Sequence, residues 1–286
     1  ITMILYTERP HFEEAWATTT FRVVMAGMGD DTTMMLAEMY KRGFEPDEIV
    51  FADTGSEHQH TYKFIEHLKK WCADRNWSKV VVLHKFDKNG HPLSVIETAE
   101  RDNTLPGAAF GIKSCTMRFK TETADKYFNN HPGCWKAWGV NGKGRRLSSH
   151  TGSILRIVGI NADEPERADN WRPEDKWTQV FPLVDWGIGE HESDAVEEVG
   201  LYLPGKSSCV CCPHMSGKEL YNLKVMYPED YARIKKMEAN YQATHMKPDS
   251  STRGMCRGNT IDEKIAEFTK RGIVRGNGGC EVCKIQ

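Results

Sequence analysis

No apolar run in this chain approaches the roughly 20 residues that a helix needs to cross a bilayer, so a helical membrane span is excluded. The opening residues, ITMILYTERPHFEEAW, lack a basic stretch followed by an apolar one, and the expectation is a cytoplasmic protein. Neither sign of charge dominates. Lys and Arg number 38 against 40 Asp and Glu, a net charge of −2, which leaves no global basic field to drive nucleic-acid binding. A local basic patch is still open. There is no internal repeat and no low-complexity segment.

What is present is 286 residues, 39% hydrophobic and 27% charged, enough for one large α/β domain or two small ones without covalent staples. FRVVMAG (21–27) reads as a buried strand. Thr32 to Arg42 carries apolar residues at helical spacing, with Gly43 where a cap belongs. DEIVFADTG is a second strand, Tyr62, Ile65, Leu68 and Trp71 trace a second helix face, and SKVVVLH is a third strand. This β-α-β-α-β order predicts a parallel sheet covered by helices. ILRIVGI, then WTQVFPLVDW, continue the pattern. A helix is expected near 193–200, and SGKELYNLKVMYPEDYARIKKMEANY is helical with a turn at Pro228. GVNGKGRRLSSHTG (139–152), with Arg145 and Arg146, reads as a mobile loop, and the chain beyond 243 as polar and irregular. Met34 to Met39 should pack on the sheet, and His58 and His60 should be exposed at a helix start.

Ligands of parallel sheets gather at the carboxyl ends of strands, where AGMGDD and FADTGSE both fall, predicted to face one crevice. A glycine turn between strand and helix offers backbone N–H groups and a helix dipole to an anion. This turn has no Gly-Lys-Ser/Thr, so it is not a Walker loop, and it lacks the six-position Rossmann glycine pattern. Asp30 and Asp31 are unfavourable beside bare phosphate but useful where Mg²⁺ bridges carboxylate and phosphate. Asp30 and Asp53 are therefore candidate metal-side or ribose-side groups. The alternative is a tight turn whose aspartates cap the helix.

Five segments in order, MAGMGDDTT, FADTGSEHQHTYKFIEHL, CTMRFKTET, IVGINADEPERA and CVCCPHMSGKELYNLKVMYPEDYARI, resemble the phosphoadenosine phosphosulfate (PAPS) reductase family of the PP-loop, adenine nucleotide alpha hydrolase-like superfamily. The resemblance implies a Rossmann-like parallel sheet with helices on both faces, a nucleotide-binding domain over 21–240, an N-terminal extension over 1–20 and a Cys-containing tail over 241–286. It implies that Ala26, Gly27, Met28, Gly29, Asp30, Asp31 and Thr32 wrap the phosphates of ATP or PAPS, with Asp53, Thr54 and Gly55 beside them. Arg118 and Lys120 would supply positive charge, and Gly159, Asp163 and Arg167 would close the site. Asp30, Arg118 and Lys120 are the expected catalytic groups. The family's loop Ser, Lys and final Ser are here Ala26, Gly29 and Asp31, which weakens binding of bare phosphate; Thr32 or Thr33 and Mg²⁺ are the available substitutes.

Nine cysteines in such a chain point to metal or redox chemistry. In relatives with an iron–sulfur cluster, cysteines at the CTMRFK segment and a later Cys-x-x-Cys hold a 4Fe–4S cluster, which here implies Cys115, Cys209, Cys212 and, from the tail GGCEVCKIQ, Cys283; zinc is the alternative metal. Three functions follow. The first is an ATP pyrophosphatase that adenylates a substrate in sulfur transfer or nucleic-acid modification, served by a sulfur-donor protein. The second is a PAPS or adenosine phosphosulfate reductase, whose Glu-Cys-Gly-x-His nucleophile motif the tail does not match. The third is a non-catalytic nucleotide-binding subunit of a defence or nucleic-acid-modifying complex.

Overall fold

Side chains alternate across a strand, and here the alternation sorts them into two cores. Val24, Ile49, Phe51, Leu155, Ile157 and Val180 join one apolar cluster, while Val23, Val50, Ile154 and Trp177 join another. The strands are therefore covered on both faces, and a sheet covered on both faces reads as near-continuous apolar runs. The computed structural model describes residues 8–140, 153–174 and 176–271. Most of the glycine-rich stretch 139–152, with Arg145 and Arg146, and both tail cysteines, Cys280 and Cys283, lie outside them.

In chain order the elements are α1 (Phe12–Thr18), β1 (Arg22–Met25), α2 (Asp30–Lys41), β2 (Glu48–Asp53), α3 (Gln59–Asp74), β3 (Lys79–His84) and α4 (Val95–Arg101). A 3₁₀ turn (Gly107–Phe110) and a π-helical turn (Thr116–Thr121) lead to α5 (Glu122–Asn129), α6 (Pro132–Trp138), β4 (Ile154–Val158), α7 (Pro165–Asp169), β5 (Trp177–Val180), α8 (Pro182–Trp186), α9 (Asp194–Glu198), α10 (Gly217–Met226), α11 (Pro228–Thr244) and α12 (Ile261–Lys270). The protein is α/β, with a five-stranded sheet in the order β3-β2-β1-β4-β5. The β1–β2, β1–β4 and β4–β5 pairs are parallel, in registers such as Val24↔Ile49 and Val24↔Ile157. The chain works outward from β1 through β2 to β3, then returns to lay β4 on the other side of β1. That reversal puts a topological switch point between the carboxyl ends of β1 and β4.

The chain divides into two compact units, residues 1–52, 59–83 and 124–207 in the first, and 53–58, 84–123 and 208–286 in the second. In the first unit, Met34, Met35 and Met39 of α2 are fully buried with Phe64, Leu68 and Trp71 of α3, the packing expected of that methionine face. Gly43, at φ +77°, closes α2: its N–H donates to the Tyr40 carbonyl and the Phe44 N–H to that of Met39, the paired bonds of a Schellman end. On the opposite face Phe128 of α5 and Trp138 of α6 complete the second core.

The second unit has its own core, built from Val95, Leu220, Leu223, Ile234, Met237 and Ile261. Capping boxes open α10 (Ser216 with Glu219) and α12 (Thr260 with Glu263). Helix α12 is a correction to the irregular reading of the chain beyond 243. The polar stretch before it masks a Thr-x-x-Glu start and the buried pair Ile261 and Ile265. A second correction concerns His58, which is buried rather than exposed, with its ring against Tyr227. No helix among the described residues is long and apolar enough to cross a membrane.

Candidate functional site

In the first unit, β1 runs out at Met25 and α2 begins at Asp30, leaving four residues to reverse direction. Met28 does so at φ +59°, a left-handed conformation uncommon for a residue with a side chain, and that side chain is fully buried. The Gly27 N–H donates to the Thr32 hydroxyl at 3.0 Å, and the Thr33 hydroxyl donates to the Gly29 carbonyl at 3.0 Å. Both threonines thus serve the loop's own shape. Gly29 is the N-cap and, having no side chain, makes no cap bond to this twelve-residue helix, whose first turn carries Asp30 and Asp31.

The aspartates are used to hold neighbours. Asp31 accepts a hydrogen bond from the Asn161 side-chain amide at 3.0 Å, and Asp30 accepts the Gly205 N–H at 2.7 Å. Asn161, buried beyond the end of β4, also accepts the Asp163 N–H. Gly159 lies against the first turn of α2, where an added Cβ would fall 3.0 Å from the Thr32 nitrogen and 3.1 Å from the Asp31 carbonyl carbon. The loop therefore sits at the switch point between β1 and β4. Asn161 was not foreseen from the sequence, although it stands in the same IVGINADEPERA segment as Gly159.

A second strap crosses the loop. At Gly29 an added Cβ would lie 3.1 Å from the Ser207 hydroxyl and 3.4 Å from the Gly205 carbonyl. Lys206, exposed between them, offers its carbonyl to His60 Nε2 at 3.3 Å. Burial lowers the His60 pKa, and the Lys206 carbonyl pulls it partly back. Gly205-Lys206-Ser207 thus brings a cation and a further hydroxyl into the strap over a loop that has no cation and whose threonine hydroxyls are engaged within it. The sequence signal, a Gly-Lys-Ser in LPGKSSC, was available but lies far along the chain from the loop. Asp163 accepts the Glu190 N–H at 2.7 Å, and Arg167 is exposed and paired with Glu164 on its own helix. Among the described residues neither bonds to the loop.

The second unit holds Asp53, Thr54 and Gly55 of FADTG with other partners. Asp53 is buried, accepts the Gly55 N–H at 2.7 Å and faces His84 Nδ1 at 3.4 Å. Gly55, at φ +67°, lies so close to Ser94 that a Cβ would stand 3.0 Å from it. The Thr54 hydroxyl donates to Glu57 at 3.0 Å and lies 3.0 Å from Cys209 Sγ. Glu57 pairs with Cys209 through a backbone bridge, and Lys120 Nζ stands 3.9 Å from its carboxylate. Burial raises the Glu57 pKa, and the Lys120 charge and the Thr54 hydroxyl pull it back. Lys120 is therefore placed with a buried carboxylate, and Arg118 lines a cavity beside α4.

No family model matches the chain, and no curated protein matches it. One solved structure similar to it is the U34-tRNA thiolase NcsA from Methanococcus maripaludis with its 4Fe–4S cluster, at 16% identity over 92% of this chain and 83% of that one, with a TM-score of 0.37. So distant a likeness does not carry that protein's chemistry across.

Cys115, Cys209, Cys212 and Cys256 all pack against the second unit's core, where Cys211 is fully buried. Burial pushes the Cys209 and Cys211 thiols well up, and the nearby thiols push the same way. Among the described residues no three His, Cys, Asp or Glu side chains stand where they could hold a metal ion. Among the described residues Cys115, Cys209 and Cys212 therefore do not form a ligand group, and Cys283 lies outside them. The nearness of Cys256 to Cys212 was not foreseen, since its sequence neighbourhood carries no paired cysteine.

Proposed function

We propose that the chain binds an adenine nucleotide, ATP, at the loop of residues 26–32 and uses it to adenylate an acceptor in sulfur transfer or nucleic-acid modification. The observation that carries this reading is the pairing of an uncapped α2 N-terminus with the Gly205-Lys206-Ser207 strap across Gly29. Backbone N–H groups and a helix dipole suit an anion, and two glycines let a polyphosphate approach. Lys206 and Ser207 supply what Ala26, Gly29 and Asp31 took away relative to the resembled family. Mg²⁺ carried with the nucleotide would offset phosphate charge against Asp30 and Asp31. At least one oxygen of each aspartate is already committed to a protein N–H donor, so their first task is to hold the loop.

Calorimetric titration with Mg-ATP, and pyrophosphate release from Mg-ATP in the presence of nucleic acid as acceptor, test the reading. Binding with release supports it, and absence of binding overturns it. Binding without release supports instead a non-catalytic nucleotide-binding subunit, a reading favoured by one observation: both loop aspartates serve as ties. Sulfite release from PAPS with a thiol reductant would reinstate the reductase.

A further inference from the structure

A 240 Å³ cavity opens in the second unit between α4 and the segment 104–119. Its walls include Val95, Leu105 and Phe119, with Thr98, Asp102 and Arg118 as polar groups. Two features mark it as a binding site. The Thr98 hydroxyl is buried and makes no hydrogen bond among the described residues, a cost that a ligand's polar edge would remove. Arg118 makes no close salt bridge among the described residues; its charge reaches Asp102 and Glu122 only at longer range, and each of those carboxylates has a nearer partner. Asp102 is held by Arg101 at 2.8 and 3.1 Å, and Glu122 by Lys85 at 2.6 Å.

The rim narrows the ligand class. From Asn103 to Thr121 the chain has no acidic residue and three cations, Lys113, Arg118 and Lys120. Lys120 faces Glu57, which leaves Lys113 and Arg118 as the outward charge. Interleaved with them stand exposed apolar side chains, Phe110 at 38%, Ile112 at 60% and Met117 at 52%. Phe110 rests one side of its ring against Tyr241 in an edge-on contact at 5.6 Å, which fixes the ring while leaving part of it in solvent. A fixed aromatic ring among cations suits a stacked base and a phosphate backbone. The cavity is smaller than the ~300–1,000 Å³ of drug-sized sites, so it admits one ring system.

We propose that this face binds single-stranded nucleic acid, with one base entering the cavity toward Thr98 and the flanking phosphates on Lys113 and Arg118. As the acceptor of the adenylation step this rests on the nucleotide reading above; as a binding site it stands apart from it. Fluorescence anisotropy with a labelled single-stranded oligonucleotide of about 12 nucleotides, without ATP, tests it on the full chain. The expected result is binding whose log–log salt slope is about −1.4 for two phosphate contacts, falling by about 0.7 in Lys113→Ala. Phe110→Ala should weaken binding about tenfold. Thr98→Val should weaken it severalfold while leaving the thermal midpoint unchanged or higher, because it deletes a hydroxyl without a partner. No binding, equal affinity for the same sequence as a duplex, or wild-type affinity in both Phe110→Ala and Thr98→Val overturns the proposal. Pyrophosphate release measured on the same preparations keeps the two readings separable. Oligonucleotide binding without turnover would sink only the adenylation reading, and turnover without oligonucleotide binding only this one.

Discussion

At the scale of single residues, the two loop aspartates differ from what an acidic phosphate loop suggests. Asp30 accepts the Gly205 N–H, so its oxygen and its charge can be tested apart. Asp30→Asn keeps an acceptor and should retain nucleotide affinity within about threefold, whereas Asp30→Ala should lose about tenfold, near 1.4 kcal/mol. Equal losses in calorimetric titration would assign the charge to the bound cation instead. Glu57 gives a pH signature with a definite sign. Its folded-state pKa lies above its ordinary value of 4.5, so the native state holds the proton more tightly than the unfolded chain. Its contribution to stability is complete below that ordinary value and is lost as pH rises through the raised one. Glu57→Gln should therefore gain on the wild type in urea midpoint as pH goes from 4 to 8; a constant difference would refute the assignment. Burial pushes the Cys72 and Cys134 thiols up to about 12. Both should resist alkylation at pH 8 in the native protein, as read by peptide mass spectrometry, and react once it is unfolded.

At the scale of elements, Gly43 offers a clean backbone test. It sits at φ +77° with nothing within 4 Å of where a Cβ would go. Gly43→Ala should cost about 1–2 kcal/mol in denaturant unfolding through backbone conformation alone, without touching the loop. Gly159→Ala has a packing cause instead. Its Cβ would press the first turn of α2 at 3.0 Å, and a loss of about 1–3 kcal/mol is expected, together with weaker ATP binding. The strands and the helices α2 and α3 were legible because their apolar periods are regular and their ends carry Gly43 and a glycine turn. Helix α12 was not, because its apolar face rests on only two buried residues after a polar run. The strap was not legible either: Gly205-Lys206-Ser207 meets Gly29 only through the tertiary fold. His58 was misjudged because helix-start histidines are usually wet, and here Tyr227 covers the ring.

For the whole molecule, a site that binds ATP in the native state alone must raise stability by mass action. Mg-ATP at 100 times its Kd should add about 2.7 kcal/mol to unfolding, visible as a rise in the thermal midpoint that Gly159→Ala diminishes. The two units also share a single chain in an interleaved way. Residues 53–58 belong with 84–123 and 208–286, while the sheet is completed by 154–180.

That interleaving has a consequence for synthesis on the ribosome. The Glu57–Cys209 bridge and the Val210 N–H bond to Ser56 join residues about 150 positions apart, and β1 gains its second neighbour only when β4 emerges. Neither unit is a contiguous stretch that could finish folding while the rest is still being made. Contacts this distant in sequence slow folding, and until the distal residues arrive β1 presents an unpaired apolar edge to the crowded cell. The order in which the chain appears, as much as its final packing, sets how much of it reaches the folded state.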